Sequence, residues 1–261
     1  MSKNSLSRRQ LFKKLIMVGG PLAAALFLTG LKKPDRIFEQ VLGPFFPDPG
    51  DPVEPVRELG GEDKPFPMSN DWDLTQVKGK PERAEGQIVS LTGKVLSPKG
   101  DPMPNASIML WQASSSGRYN HQGDSFADTF EDPRGNSIER QLDPNFQYWG
   151  HAVTDEAGAY HIRTIIPGYY PADLKSGWFR PPHIHFIAQA EGVPELVTQT
   201  YFRGDAIADN QFIQTLNARD YILRDSSLTR AEQERLIIEY KPASKGIDEL
   251  AGNFDFQMRT K

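Results

Sequence analysis

The chain of 261 residues contains no cysteine. This absence excludes thiol catalysis, disulfide bonds, cysteine-ligated zinc and iron–sulfur clusters. Histidine is also scarce, with five in the whole chain. Any metal ion must therefore be bound by histidine, aspartate, glutamate, tyrosine or backbone oxygen, and the few histidines become the leading candidates.

An excess of positive charge is missing as well. The chain has 30 Lys and Arg residues against 34 Asp and Glu residues, a net charge of −4. Residues 1–33 hold seven cations and no acid, which leaves a net charge of −11 on the remainder. A body this acidic repels nucleic-acid phosphates, so we expect no nucleic-acid partner. The 38% hydrophobic content is that of an ordinary globular protein with a buried core.

The one long apolar run follows paired arginines near the N-terminus. Arg8 and Arg9 precede a mostly apolar stretch, 15–31, that a Gly-Gly-Pro sequence interrupts. This arrangement is typical of a twin-arginine export signal, so residues 1–33 are predicted to direct the protein to the periplasm. A short membrane anchor or a basic amphipathic helix is the alternative. An uncleaved signal would be the protein's only membrane attachment.

Proline and glycine divide the rest of the chain into an arm and a body. Residues 34–86 are rich in both, which prevents long helices, and they are predicted to form an extended arm over the body. In residues 87–261, short runs of alternating apolar residues are separated by turns. That pattern is typical of a β-sandwich, so we predict an all-β fold with little helix.

The predicted elements of this body are mostly short strands. They are 91–96, 107–111, 152–154, 160–166, 183–188, 196–202 and 254–258. Helices are predicted only at 211–216 and at 228–238, the latter capped by Thr229. Residues 117–145 are predicted to be a long polar loop, which in a compact domain indicates a functional or covering segment.

Two of the five histidines form a His-x-His motif in a predicted strand. Alternate residues of a strand share one face and lie roughly 6.5–7 Å apart along it. His183 and His185 could therefore bind one metal ion while Ile184 and Phe186 enter the core. Two surface histidines on an edge strand are the alternative. Arg180, which precedes two prolines, would place a fixed cation beside the pair and favours a functional site.

Tyrosines are the other candidate ligands, because no acidic residue lies close to the histidine pair in sequence. Tyr119 follows a Gly-Arg pair, and Tyr169 and Tyr170 follow a Pro-Gly pair. A tyrosine with its ordinary pKa near 10 is a poor ligand for a divalent ion, but a hard, highly charged cation would hold its phenolate. Two histidines and two tyrosines would suit Fe(III).

A series of motifs within residues 88–205 resembles the intradiol ring-cleaving dioxygenases, and among them the protocatechuate enzymes most. In the family's order the motifs are 110–113, 117–121, 142–146, 154–155, 158–160, 163–168, 170–171, 180–186 and 196–199. Chance is a poor explanation for so many ordered matches.

The resemblance implies one non-haem Fe(III) ion per chain. Its ligands would be Tyr119, Tyr170, His183 and His185. Tyr170 stands thirteen residues before His183, the interval that the family pattern requires, which leaves Tyr169 as a structural residue.

The resemblance also implies roles for residues around the metal. Tyr170 would leave the metal and accept a substrate proton, and Arg180 and Gln199 would contact the substrate and stabilise negative charge on its ring. Pro44, in a Gly-Pro-aromatic segment, would close one wall of the pocket. The implied reaction is cleavage of a catechol-type ring by O2 between its two hydroxylated carbons, giving a cis,cis-muconate-type dicarboxylate.

The substrate itself stays open among protocatechuate, catechol, hydroxyquinol and larger diols. Ala172 stands where protocatechuate enzymes tend to have tryptophan, and the arm does not resemble the helical N-terminal domain of catechol dioxygenases. The implied partners are a small aromatic diol and O2, with either a homo-oligomer or pairing with a homologous chain.

Two other classes compete with this interpretation. A non-catalytic exported β-sandwich binding module, in which the histidines merely lie on a strand, would hold no iron and show no colour. A histidine-rich copper protein is disfavoured, since the chain lacks a third suitably placed histidine and any cysteine.

Overall fold

The structure, a computed structural model, describes residues 40–47, 72–244 and 248–260. The predicted export signal, 1–33, lies outside these ranges, as do 34–39 and 48–71 of the predicted arm. None of the helices within the described ranges is long and apolar enough to cross a membrane.

Strands dominate the described ranges. They are β1 (Ile88–Leu96), β2 (Ser107–Trp111), β3 (Thr129–Glu131), β4 (Ser137–Glu139), β5 (Trp149–Val153), β6 (Ala159–Ile165), β7 (Tyr170–Asp173), β8 (Trp178–Arg180), β9 (His183–Gln189), β10 (Leu196–Arg203), β11 (Ile237–Glu239), β12 (Lys241–Pro242), β13 (Glu249–Asn253) and β14 (Phe256–Gln257). The helices are α1 (Asn210–Arg219) and α2 (Arg230–Arg235). The predicted all-β class is confirmed.

Two five-stranded sheets pack their apolar faces together. The first has the order β12-β13-β1-β14, with β6 also paired to β1, and the second has the order β11-β10-β9-β2-β5. In β1, Val89, Leu91 and Val95 alternate with more exposed residues, as expected for a strand with one buried face. Phe186 of the second sheet meets Phe256 of the first with 5.2 Å between ring centroids.

The central strand β9 is buried on both faces. Ile184 and Phe186 are fully buried in the core, as predicted from the strand alternation. The opposite face of β9 carries His183 and His185, which are also buried. Covering segments must therefore lie over this second face, and they enclose the candidate site.

The predicted helix 228–238 is wrong in its length. The side chain of Thr229 accepts from the N–H of Glu232, whose side chain accepts from the N–H of Thr229, so the predicted N-cap is confirmed. The helix ends at Arg235, because Ile237 and Ile238 pair in parallel with β10 as β11. Sheet pairing and burial of this apolar run outweigh its local helical pattern.

Two other regions differ from the sequence-based expectations. Of the predicted strand 254–258, only Phe256–Gln257 is a strand, while the unpredicted β13 pairs in parallel with β1. The predicted loop 117–145 contains the β3–β4 hairpin. Such short pairings depend on partners brought together by the fold, so local alternation gives little signal for them.

Candidate active site

The register of three neighbouring strands gathers polar side chains on the outer face of the second sheet. His185 of β9 lies directly opposite Trp111 of β2 and Gln199 of β10, and His183 lies opposite Tyr201. Directly opposed residues of antiparallel strands share a face. Strand pairing therefore places the predicted Gln199 beside the His-x-His pair, although 14 positions separate it from His185 in sequence.

The four predicted metal ligands lie together, and we call Tyr119, Tyr170, His183 and His185 the tyrosine–histidine cluster. The two histidine Nε2 atoms are 3.1 Å apart, and the Tyr119 hydroxyl donates to His183 Nε2 at 3.2 Å. The Tyr170 ring centroid is 5.7 Å from that of Tyr119 and 5.8 Å from that of His183. All four residues are buried.

A tight turn and a buried ion pair position Tyr119. Gly117 has φ +85°, and a Cβ there would lie 2.5 Å from the carbonyl oxygen of Tyr169, so only glycine allows this close approach. The backbone N–H of Tyr119 donates to Asp124 Oδ2 at 2.9 Å. The same oxygen accepts from Arg140 at 2.5 Å, and both of these charged side chains are fully buried.

Tyr170 and its neighbour Tyr169 face opposite sides of their segment. Tyr170 begins β7 and is paired with Arg180 of β8, which places both on the cluster side. Tyr169 donates its hydroxyl to Asp132 Oδ2 at 2.9 Å and packs against Phe130 with 6.3 Å between ring centroids. The two adjacent tyrosines therefore have different surroundings, with Tyr170 in the cluster and Tyr169 against the β3–β4 hairpin.

Arg180 and Gln199 are hydrogen-bonded to each other beside the cluster. The guanidinium of Arg180 donates from Nη2 to Gln199 Oε1 at 2.7 Å and from Nε to Asp220 Oδ2 at 2.7 Å. Gln199 donates from Nε2 to the carbonyl oxygen of Val41 at 2.8 Å. Both side chains are buried, so this polar network is shielded from water.

Residues 40–47 of the arm pack directly on the cluster. Gly43 has φ +79°, and a Cβ there would lie 2.9 Å from His185 Cε1. Phe45 is buried with its ring centroid 4.6 Å from that of Tyr119. Pro44 stands exposed between these two contacts, so its predicted place at the substrate stays a prediction.

The environment keeps the cluster side chains neutral when no cation is bound. Burial lowers the pKa of His183 and His185 well below the ordinary value, and the positive charge of Arg180 adds to this effect. Burial likewise raises the pKa of Tyr119 and Tyr170 above the ordinary value, and the Arg180 charge opposes this. Neutral imidazoles are the metal-binding form, whereas the phenols need a strong cation before they ionise.

The donor set of the cluster fits a highly charged metal ion. His183 donates from Nδ1 to the carbonyl oxygen of Pro181 at 2.7 Å, which fixes the tautomer whose Nε2 carries the lone pair that a metal ion would bind. That lone pair faces the second Nε2 and the hydroxyl of Tyr119, so three ligand-type atoms converge. In the ranges that the structure describes, no group of three or more His, Asp or Glu side chains is arranged as a metal site.

Several residues around the cluster escaped the sequence analysis. Trp111 is buried and stacks on His185 with 4.8 Å between ring centroids and a 10° angle between planes. The sequence motifs described above include none of Asp220, Tyr201 and Asp124. Strand register could have indicated Trp111 and Tyr201, while the two acids come from loops whose positions depend on the fold.

The other three histidines contact a backbone N–H or a serine hydroxyl. His121 is buried and accepts the N–H of Gly123 at Nδ1 at 2.8 Å, His151 contacts the Ser107 hydroxyl at 2.8 Å, and His161 contacts the Ser90 hydroxyl at 3.3 Å.

Comparison with known proteins identifies relatives. A family model described as "Dioxygenase" matches residues 65–260. The protocatechuate 3,4-dioxygenase beta chain of Burkholderia cepacia is 36% identical over 167 residues, which cover 62% of this chain and 66% of that protein. Catechol 1,2-dioxygenase of Acinetobacter baylyi is 31% identical over 138 residues, covering 49% of this chain and 40% of that protein. The chain thus spans less than two thirds of the length of either relative.

The fold has solved counterparts. The crystal structure of 3-chlorocatechol 1,2-dioxygenase from Rhodococcus opacus 1CP matches with a TM-score of 0.57 at 18% identity, covering 92% of this chain and 78% of that one. At this identity the likeness shows the shared fold alone. The family model, however, spans well over half of the chain and contains the whole tyrosine–histidine cluster. By sequence as well as fold, the chain belongs to the intradiol dioxygenase family.

Proposed function

We propose that the protein is a non-haem Fe(III) dioxygenase that cleaves the ring of a catechol-type substrate between its two hydroxylated carbons. Both atoms of O2 enter the product, a cis,cis-muconate-type dicarboxylate. The observation that carries this proposal is the convergence of Tyr119, Tyr170, His183 and His185 in one buried cluster. One iron ion would be held per chain by these four residues.

Each side chain of the cluster has a proposed task. When bound, Fe(III) would supply Lewis acidity that draws negative charge out of a catecholate ring. Tyr119, His183 and His185 would hold the metal together with Tyr170, and Tyr170 would also accept a proton from a substrate hydroxyl at its phenolic oxygen.

Arg180 and Gln199 would stabilise negative charge that develops on the ring. Hydrogen-bond donors fixed in a buried site are worth more than the same donors in water, because they need no reorganisation during the reaction. Removing such a donor costs on the order of 10²–10³ in turnover in other enzymes. The Arg180–Gln199 hydrogen bond at 2.7 Å supports a fixed arrangement.

Aromatic walls would keep bulk water away from the reacting ring. Trp111 stacks on His185, and Phe45 covers Tyr119, so two sides of the cluster are apolar. Pro44, exposed beside Phe45, is placed at the rim in this proposal and would border the substrate.

The proposed substrate is protocatechuate-like, with the name of the Burkholderia cepacia relative as its support. Oxygen uptake should be measured with protocatechuate, catechol and hydroxyquinol, together with the ultraviolet spectrum of the product and the iron content. We expect a red to brown protein with about one iron per chain and uptake with at least one of the diols. A colourless protein that binds zinc or copper but no iron on reconstitution, and consumes no oxygen, would instead indicate a binding module.

We also propose that residues 1–33 direct export of the folded, iron-loaded protein to the periplasm. Paired Arg8 and Arg9 before an apolar run support this. Replacing both arginines with lysine should retain the protein in the cytoplasm, as judged by fractionation, and unchanged export would contradict the proposal. Association with a second chain, identical or homologous, is proposed from the word "beta chain" in the name of the first relative.

A further inference from the structure

Arg180 carries a positive charge in a nearly closed environment. Its side chain is 4% exposed, and its Nε and Nη2 atoms contact Asp220, Gln199 and Tyr201. Within the described ranges, Nη1 makes no hydrogen bond to the protein. A buried guanidinium without a counterion is strongly unfavourable, so its orientation follows from its carboxylate partner.

Asp220 is itself held rigidly. Its side chain is completely buried, and Oδ1 accepts the backbone N–H groups of Ile222 and Leu223 at 3.1 and 2.7 Å. Oδ2 is then left to accept from Arg180 Nε at 2.7 Å. A carboxylate fixed by two backbone donors cannot follow Arg180 if the guanidinium moves, so it defines one position for it.

The same network fixes the orientation of Gln199. Its Oε1 accepts from Arg180, while its Nε2 donates to the carbonyl oxygen of Val41, so the amide cannot flip without losing both hydrogen bonds. The Tyr201 hydroxyl donates to Gln40 Oε1 at 3.2 Å, and Gln40 Nε2 donates to the carbonyl oxygen of Ile222 at 3.1 Å. Segments 40–41, 199–201 and 220–223 thereby meet around Arg180.

Arg180 lies close to the cluster as well as to Asp220. Across the β7–β8 hairpin it is paired with Tyr170, so both residues are on the cluster side. The Asp220 carboxylate holds the Nε edge of the guanidinium, while Nη2 contacts Gln199 and Tyr201. A guanidinium held only through Nη2 could rotate about that atom, so Asp220 is needed to fix the direction of Nη1.

We propose that Asp220 is a positioning residue, which holds the Arg180 guanidinium so that its Nη1 donors stay available to a ring bound at the tyrosine–histidine cluster. This inference rests on the proposed dioxygenase function for its kinetic consequence. Its structural consequence, a fixed Arg180, does not depend on which reaction the cluster supports.

The test is Asp220→Asn in the iron-loaded protein. The asparagine Oδ1 can keep both backbone hydrogen bonds, while its Nδ2 presents a donor to the Nε donor of Arg180. A crystal structure should show the guanidinium displaced by more than about 1 Å. Turnover number should fall on the order of 10–100-fold, within the range of a lost charge-stabilising donor, with KM changed less than about threefold and the iron content kept.

The matched control is Asp143→Asn. Asp143 is also buried, and its carboxylate accepts two backbone N–H groups, from Glu85 and Asn145, at 2.7 and 2.8 Å. The turnover number and the position of Arg180 should stay those of the wild type. If the asparagine variant does not fold, Asp220→Glu, which keeps the charge, replaces it in the test. This variant should keep Arg180 paired, and its turnover number should fall less than that of Arg180→Gln.

The outcomes separate the two claims. If the wild-type protein turns over no diol, the proposed function fails, and the position of Arg180 in the Asp220 variants still decides whether Asp220 fixes it. An active wild type whose Asp220→Asn variant keeps its turnover number, or keeps Arg180 in place, overturns the positioning role. If Asp220→Asn and Asp143→Asn lower the turnover number equally, Asp220 is a stabilising residue only. That result also overturns the positioning role.

Discussion

Tyr169 and Tyr170 are adjacent in sequence but belong to two very different regions. On the Tyr170 side, Phe45, Tyr119 and His183 are buried neighbours, and the Tyr119 hydroxyl and His185 Nε2 lie 3.2 and 3.1 Å from His183 Nε2. On the Tyr169 side, the phenol is half-buried and binds Asp132, which also pairs with the partly exposed Arg134. The comparison shows that one extended segment can line the tyrosine–histidine cluster with one face and contact a surface hairpin with the other.

The largest expected effect comes from Tyr170→Phe, which removes one hydroxyl from the cluster side. Loss of the proposed metal ligand and proton acceptor should reduce turnover by about 10²–10⁴-fold. It should also shift the visible absorption of the iron-loaded protein. Oxygen uptake, the visible spectrum and iron content are the measurements, with Tyr169→Phe as control. If Tyr169→Phe lost its colour while Tyr170→Phe kept it, Tyr169 and not Tyr170 would be the ligand.

The second prediction compares buried and exposed ion pairs on the two sides. Asp124→Asn leaves the fully buried Arg140 without its counterion and loosens Tyr119, so the free energy of unfolding should fall by about 3–5 kcal/mol. Asp132→Asn, whose partner Arg134 is 33% exposed, should cost clearly less. Denaturant unfolding measures both. Equal losses would show that burial does not distinguish the two pairs.

The third prediction concerns Tyr169→Phe, which changes only the Tyr169 side of the segment. The change removes the hydroxyl that donates to the Asp132 carboxylate at 2.9 Å, and hydrogen bonds to charged groups contribute about 1.5–3 kcal/mol. Since Tyr169 is half-buried, we expect a loss of unfolding free energy near the lower figure, with iron content and turnover retained. A large loss of iron would mean that the two faces are coupled through the backbone.

The smallest expected effect is the pH dependence of the contribution that Asp132 makes to stability. Burial opposes ionisation of Asp132, but hydrogen bonds from Asn136, Tyr169 and Arg134 prevail and hold the pKa of its carboxyl well below the ordinary value. Its contribution to stability is therefore complete above the unfolded pKa of about 3.9 and is lost as pH falls below it.

The difference in unfolding free energy between wild type and Asp132→Asn should accordingly be constant from pH 7 to about 5 and shrink at more acid pH. Thermal or denaturant unfolding across this range provides the measurement. If this difference in unfolding free energy grew on acidification, it would contradict a lowered pKa of the Asp132 carboxyl.

Much of the site could be predicted from local pattern. Strand alternation alone places His183 and His185 on one face and Tyr169 opposite Tyr170, because the side-chain period of two is a property of the backbone. The helix error at 228–238 shows the limit of such reasoning. An apolar run such as 236–238 can join a helix or a strand, and the partner strand β10 determines which.

The sequence by itself determined the chemistry that is available: no thiol, a histidine pair on one strand face, and tyrosines that suit a hard cation. Only the tertiary structure decided what surrounds that chemistry. Trp111 reaches His185 through strand register, Asp220 reaches Arg180 from a loop 40 positions away, and Gly43 reaches His185 from the arm. The reason is that backbone periodicity is local, whereas these contacts arise from packing between segments far apart in the chain.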